Sequence, residues 1–394
     1  MATSRVRIIL KKGREGRLLR GHPWIYEGEI GGIEGSPLGG EVVDVCDHRG
    51  LFRARGYFNP RSQIRVRILC FEPEEIDEGF LRSRLQRAIE RRQLLSLPSD
   101  AYRLVFSEAD ELPGLIVDRY GPYLIVQILT LGMEVRREAV VEQLVELLDP
   151  QGVYARNDLH VRELEGLSRE QRLLWGEVPD RILIREGGLS FLVDVKEGQK
   201  TGFFLDQRNN RLALQGLCTN RRVLDCFCYS GAFSLQAIRF GASSVLGIDI
   251  SPEAISLAQE NAALNGLSDR CQFQVGNAFD QLRALERKGE RFDLIILDPP
   301  AFTKSKDVLE PALRGYKEIN LRALKLLDRG GILLTCSCSY HLSPQSFLGV
   351  VQEAAADAGK RVHLLEFRTQ APDHPILLSV PETCYLKCAM LRVL

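Results

Sequence analysis

The chain has 394 residues, 45% of them hydrophobic and 26% charged, enough for two or three domains with apolar cores. That composition excludes a mostly disordered, collagenous or coiled-coil protein, and no apolar run approaches the roughly 18 residues needed to span a bilayer. Fifty-two Lys and Arg balance fifty-two Asp and Glu, so net charge alone points to no polyanionic partner.

The opening Met1-Ala2-Thr3-Ser4-Arg5 lacks the apolar stretch of a secretory signal, which predicts a cytoplasmic protein with no membrane partner. Residues 1–70 hold thirteen basic side chains against seven acidic ones, an excess that the rest of the chain offsets. A basic module on a mildly acidic body fits a nucleic-acid anchor, and it equally fits a solvated arginine-rich face. Strand-like stretches at Val6–Leu10, Glu41–Cys46 and Ile64–Leu69 make this a small β-rich domain, residues 1–73.

An acidic linker around Pro73 leads to a helix over Phe80–Leu95, with apolar residues on one face and arginines on the other. Strands at Leu115–Asp118 and Tyr123–Ile128 and an amphipathic helix over Arg136–Leu148 then suggest a central α+β domain, residues 74–186. From residue 187 to 394 strands and helices alternate. Strands are expected at Arg222–Phe227, Ser244–Ile250, Cys271–Val275, Phe292–Leu297 and Gly331–Cys336. Helices are expected between them at Ala232–Phe240, Pro252–Leu264, Ala278–Lys288 and Ala312–Leu327. Such a series implies an α/β domain whose parallel sheet is covered on both faces. Arg361–Arg368 and Cys384–Val393 would complete seven strands as an antiparallel hairpin around a turn with Pro372, Pro375 and Pro381.

Ligands of doubly wound sheets bind beyond the carboxyl ends of the strands. There the first strand offers Asp225-Cys226-Phe227-Cys228-Tyr229-Ser230-Gly231, and Gly231 opens a helix whose free amides can face a polar ligand. The second strand ends in Asp249, which can accept hydrogen bonds from two ribose hydroxyls. Both a nicotinamide dinucleotide and S-adenosylmethionine would suit this arrangement. The single loop glycine lacks the Gly-x-Gly-x-x-Gly approach a pyrophosphate needs, and the fourth strand ends in Asp298-Pro299-Pro300-Ala301-Phe302. With Asp225, Asp249 and Asp298 at successive strand ends, the balance favours S-adenosylmethionine. Asn277 and Ala278 after the third strand would flank the adenine, although Asn277 is equally placed to cap a helix.

The ten cysteines contain no Cys-x-x-Cys, so neither a zinc site nor a redox pair is expected, and most should be buried. One stands out. Cys338 in Cys336-Ser337-Cys338-Ser339 follows the fifth strand, on the same rim as Asp298. A thiolate added to C6 of a pyrimidine makes C5 nucleophilic enough to take a methyl group, and thiolates are reversible leaving groups. Asp298 could hold the N3/N4 edge of cytosine. Cys336 is the competing nucleophile and is read as packing; the role of His341 stays open.

These residues, in this order, resemble the bacterial large-subunit rRNA cytosine-5 methyltransferase family of the methyltransferase I type. The likeness covers nearly the whole chain. Leu18-Leu19-Arg20-Gly21-His22-Pro23-Trp24-Ile25-Tyr26 looks like the family's PUA opening, and Glu111-Leu112-Pro113-Gly114-Leu115 like its central-domain signature. Lys200-Thr201-Gly202-Phe203-Phe204-Leu205-Asp206-Gln207-Arg208 is similar to the segment that borders the cofactor. The resemblance implies an N-terminal PUA domain, a central α+β domain and a C-terminal Rossmann-like methyltransferase domain. It further implies S-adenosylmethionine-dependent formation of 5-methylcytidine in ribosomal RNA of the large subunit, free or in an assembling particle. Cys338 would be the nucleophile, and Gln207, Asp225, Phe227, Ser230, Gly231, Asp249, Asn277, Ala278 and Asp298 would line the cofactor. The wider cytosine-5 enzymes often carry a second cysteine after the fourth-strand proline; here Ala301 follows Pro300, so the base for the leaving proton is unassigned. Trp24 or Tyr26 could stack on a base, or Trp24 could be core. Two rival readings remain: an rRNA guanine N-methyltransferase, which needs no cysteine, and a non-catalytic ribosome-assembly factor. Oligomeric state is open, a homodimer being one option.

Overall fold

The computed structural model describes residues 5–302 and 309–394. Chain contacts group into two compact units. One comprises residues 1–182, 193–205 and 372–383; the other comprises 183–192, 206–371 and 384–394.

In the first unit, two sheets follow each other in sequence. A six-stranded sheet runs in the order Trp24–Tyr26, Ile64–Cys70, Phe52–Phe58, Val42–Cys46, Arg7–Leu10, Ile30–Glu34. Its alternating inward residues, Ile8, Leu10, Val43, Val45, Ala54, Val66 and Ile68, close one apolar core. A five-stranded sheet follows, in the order Glu170–Gly176, Gly152–Asn157, Tyr123–Ile128, Leu115–Tyr120, Ala101–Phe106. Helices Glu78–Gln93 and Arg137–Leu148 belong to this part of the chain, and Leu85, Ala88, Val140 and Leu144 share a core with Leu115, Val117 and Val126. Asp77 caps the first of these helices, its carboxylate accepting from the Phe80 amide.

The second unit is a seven-stranded sheet: β1 (Arg222–Cys226), β2 (Ser244–Asp249), β3 (Cys271–Val275), β4 (Phe292–Leu297), β5 (Leu327–Ser337), β6 (Val362–Arg368) and β7 (Lys387–Val393). The spatial order is β3-β2-β1-β4-β5-β7-β6. The first five strands pair in parallel; β7 runs antiparallel between β5 and β6. Helices α1 (Ala232–Arg239), α2 (Pro252–Leu264), α3 (Ala278–Arg287), α4 (Leu309–Leu326) and α5 (Pro344–Asp357) connect them. Two apolar clusters of the sheet, one around Leu224, Ile295 and Leu333 and one around Val223, Leu294 and Leu334, follow the alternation of each strand. The order reverses at β1 and β4, so the ends of these two strands flank the switch point of the sheet.

The expected α/β architecture with a β-rich N-terminal part is therefore present. Several bounds move by a few residues, β5 for example starting at Leu327 rather than Gly331, and three further details differ from expectation. Strand β1 stops at Cys226, because Phe227 takes a left-handed conformation (φ 67°) that a strand cannot contain. The proline-bearing stretch before β7 is no tight hairpin turn: residues 369–386 separate β6 from β7, and 372–383 group with the other unit. Helix α5 has no counterpart in the expected elements, although Ser343 caps it, Pro344 opens it, and Phe347, Val350, Val351 and Ala354 fall at helical spacing.

Candidate active site

The loop after β1 is set by backbone strain. Phe227, Tyr229 and Gly231 have φ of 67°, 48° and 79°, and two of the three carry side chains that disfavour that region, at about 1 kcal/mol or more each. What holds them is β2: the amides of Phe227 and Cys228 both donate to the Ile248 carbonyl, at 2.8 and 3.1 Å. Glycine suits position 231, where φ is 79° and a Cβ would lie 3.1 Å from both Ala258 and the Phe273 ring, so that a side chain would be strained and its neighbours would have to give way. Asn261 of α2 donates to the Ser230 carbonyl (3.1 Å), and Gly231 then caps α1.

Asp225, wholly buried at the end of β1, accepts from the Ser234 hydroxyl at 2.6 Å through one oxygen, while its Oδ1 has no partner. Burial, reinforced by the nearby charges of Asp298 and Asp249, pushes its pKa up to about 7. The buried Ser230 hydroxyl is likewise unpartnered. Asp249 ends β2 half-exposed; its carboxylate accepts from the Tyr229 amide (2.9 Å) and the Ser251 amide (3.0 Å), which fixes its orientation and leaves lone pairs for two hydroxyls. Asn277 caps α3 through its side-chain oxygen, accepting from the Phe279 amide at 3.0 Å, and Ala278 is buried behind it.

At the end of β4, Asp298 accepts from Gln207 Nε2 at 2.8 Å. Gln207 is itself buried and receives a hydrogen bond from Asn210 (2.6 Å), so the amide acts on Asp298 from a fixed position. The Phe302 ring packs on Tyr316 (centroids 4.6 Å apart) and on Phe279 (5.8 Å), anchoring the Pro299-Pro300 corner to α4 and α3.

Cys336 and Cys338 part company at the end of β5. Cys336 is wholly buried opposite Cys388 of β7, and burial raises its thiol well above the usual range. Cys338 lies just past the strand and is partly exposed. The Tyr316 hydroxyl, which accepts from Ser337 (2.9 Å) and bonds Ser339 (2.9 Å), ties both flanks of Cys338 to α4. Lys387 is a feature the sequence reading missed: a buried lysine at the start of a strand whose other cation, Arg392, is exposed, and its Nζ donates to the Ser339 carbonyl at 2.6 Å. Its signal was the single cation inside the stretch Cys384–Met390.

Asp225, Asp249 and Asp298 thus share one end of the sheet, where the charges of Asp298 and Asp249 help raise the Asp225 carboxyl, with Gln207 holding Asp298. Cys338 belongs to the same end of the sheet by register, since Leu297 pairs with Thr335. Phe227 stands half-buried in the first loop, and His341 faces the Tyr340 ring beyond the cysteine. Trp24, in the other unit, is half-buried and its indole N–H donates to Glu108 at 2.8 Å, with the Arg67 guanidinium over the ring. Among the described residues no cluster of His, Cys, Asp and Glu suits a metal ion, and no helix is long and apolar enough to cross a membrane.

A twisted parallel sheet carrying acidic residues at three strand ends, with an antiparallel final strand, defines the class of Rossmann-like methyltransferases. Residues 165–392 match the family described as S-adenosylmethionine-dependent methyltransferase, and residues 8–71 match the PUA-like domain. Ribosomal RNA large subunit methyltransferase I of Escherichia coli O139:H28 is 43% identical over 394 residues, covering 99% of this chain and 100% of that protein. The same-named protein of Shigella boydii serotype 18 agrees equally well. A SAM-dependent methyltransferase structure from Streptococcus mutans superposes with a TM-score of 0.84 at 22% identity, covering 98% of this chain and all of that one. A methyltransferase complexed with SAH gives 0.85 at the same identity and coverage. The chain belongs to the ribosomal RNA large subunit methyltransferase I family, within the S-adenosylmethionine-dependent methyltransferases.

The rim fits that cofactor. An acidic, amide-lined edge with an unpartnered buried carboxylate oxygen and an unpartnered buried hydroxyl suits a ligand bearing ribose hydroxyls and positive charge. It suits a pyrophosphate poorly, because three carboxylates would face the phosphates.

Proposed function

We propose that the protein methylates C5 of a cytosine in large-subunit ribosomal RNA through a transient bond between Cys338 and C6. The supporting observation is the separation of the two cysteines at the end of β5: Cys336 is sealed in the core, and Cys338 is partly exposed on the rim that carries Asp298. When bound, S-adenosylmethionine supplies an electrophilic methyl group. Asp249 would hold the ribose hydroxyls, Asp225, Ser230 and Gly231 the polar end of the cofactor, and Phe227, Asn277 and Ala278 its adenosine. Gln207 would act through Asp298 rather than touch the cofactor.

The steps assigned to this chain balance. The Cys338 thiolate forms a C–S bond to C6, and the C5–C6 π electrons become the pair with which C5 attacks the methyl group, whose bond to the sulfonium sulfur would break with its electron pair left on sulfur as the neutral thioether. Asp298, oriented by Gln207, holds the N3/N4 edge and stabilises the charge that develops on the ring. A proton then leaves C5, the double bond re-forms, and the C–S bond breaks to return the thiolate. In this reading residues 1–73 anchor the RNA, 74–186 form the central domain, and 187–394 perform the chemistry, in the cytoplasm where rRNA is made.

The test is methyl transfer from labelled S-adenosylmethionine to undermethylated large-subunit rRNA, followed by nucleoside analysis. Label in 5-methylcytidine, lost in Cys338→Ala with cofactor affinity unchanged, is expected. Label in a methylated guanosine, or full activity in Cys338→Ala, would refute the mechanism. Cofactor binding without any transfer would point to an assembly factor.

A further inference from the structure

Lys387 opens β7, directly opposite Ser337 of β5, and its side chain is 3% exposed. A buried ammonium is stable only when its donors are satisfied and a counter-charge lies near. Two donors are accounted for, by the carbonyls of Ser339 (2.6 Å) and Tyr385 (2.8 Å). Both carbonyls accept only, so Nζ is clamped beside the backbone that follows Cys338. Neither contact demands a charge: a neutral amine donates two hydrogen bonds equally well. The cation therefore stands without a carboxylate among the groups that act on it. Those groups are two thiols, Cys338 after β5 and Cys384 ahead of β7. Of the other titratable groups packed here, Tyr316 of α4 is occupied by Ser337 and Ser339, Tyr385 donates to Asp206 at 2.6 Å, and Cys336 and Cys388 are sealed between β5 and β7.

We propose that Lys387 is a positioning residue that keeps Cys338 in its thiolate form and fixes the backbone on which that thiolate is carried. The proposal rests on Cys338 being the nucleophile. The thiol proton is released to water, the ammonium balances the thiolate, and no other reactant is required. The same charge is at hand when the C–S bond breaks and the thiolate re-forms. Burial draws the Lys387 ammonium down to about 8 against the pull of the two thiols, so the supporting charge is present below that pH and fades above it.

The experiment measures alkylation of Cys338 by iodoacetamide against pH in the full chain, read on the Cys338 peptide by mass spectrometry. Wild type should show a midpoint below the roughly 8.5 of a free thiol. Lys387→Met should raise that midpoint by about one unit, slowing alkylation at pH 7 about tenfold. Lys387→Arg, with a charge that does not titrate, should keep the midpoint at or below the wild-type value. An unchanged midpoint in Lys387→Met overturns the proposal. If that variant fails to fold, Lys387→Arg decides alone, and a raised midpoint there overturns it. Methyl transfer by Cys338→Ala, assayed in parallel, separates the two ideas: activity in that variant sinks the nucleophile while the alkylation midpoints still report on the Lys387–Cys338 pair.

Discussion

If Asp225 holds the polar end of the cofactor as proposed, this one carboxylate makes cofactor binding depend on pH. Its pKa of about 7 comes first from burial, then from Asp298 and Asp249, against the help of the Ser234 hydroxyl. A bound ligand carrying positive charge favours the ionised form and must lower that pKa. Binding then releases a proton at pH values below about 7, and affinity should fall by up to tenfold per pH unit as pH drops through that region. Above it, affinity should level off. Calorimetry of S-adenosylmethionine binding in buffers of different ionisation enthalpy measures the proton directly. Asp225→Asn should bind with little dependence on pH; a wild-type profile that is flat from pH 6 to 8 would contradict this role. The position of Asp225 was readable from the strand-end rule, whereas its perturbed ionisation was not, because burial depends on the packing of α1.

At the scale of elements, the strands β3 and β4 and the helix α2 stand at their expected bounds, because continuous apolar runs and an unambiguous Ser251-Pro252 start mark them. The loops were less legible. The left-handed Phe227 and Tyr229 follow from hydrogen bonds to β2, a partner distant in sequence. Helix α5 carries a Ser-Pro start and a helical apolar stripe, so it was in principle visible. Lys387 was legible as the single cation in the apolar stretch Cys384–Met390, but its hydrogen bond to the loop after Cys338 needed the antiparallel register of β5 and β7. Close packing of β2 against β3 supplies a prediction. A Cβ at Gly247 would fall 2.5 Å from the Phe273 ring, so Gly247→Ala must displace that ring. The expected cost is about 1–3 kcal/mol, or a few degrees in Tm, with weaker cofactor binding as Asp249 shifts. Unchanged Tm and affinity would mean that the ring yields freely.

At the scale of the whole molecule, the basic side chains of residues 1–70 include two contrasting groups. Arg7, Arg53, Arg55, Arg65 and Arg67 are engaged with Glu34, Asp47, Asp44, Glu27 and Glu165, so they serve the fold. Lys12, Arg14, Arg20 and Arg49 are exposed, and among the described residues no ion pair engages them. If the PUA-like domain anchors rRNA, these four supply its phosphate contacts. Replacing all four with Gln should weaken binding to an rRNA fragment uniformly and flatten its salt dependence by up to about 3 in the log–log slope, with cofactor affinity intact. A salt slope equal to that of wild type would place the contacts elsewhere.

The proposed chemistry turns on a bond between Cys338 and a pyrimidine. A fluorine at C5 cannot leave as a proton does, so RNA carrying 5-fluorocytidine should halt the reaction after methyl transfer with protein and RNA joined. The decisive measurement is denaturing electrophoresis of the protein incubated with such RNA and S-adenosylmethionine, followed by mass spectrometry of the joined peptide. A stable adduct on the peptide containing Cys338, absent in Cys338→Ala, is the predicted result. Turnover of unmodified RNA with no adduct on fluorinated RNA, or an adduct on another cysteine, would contradict the account.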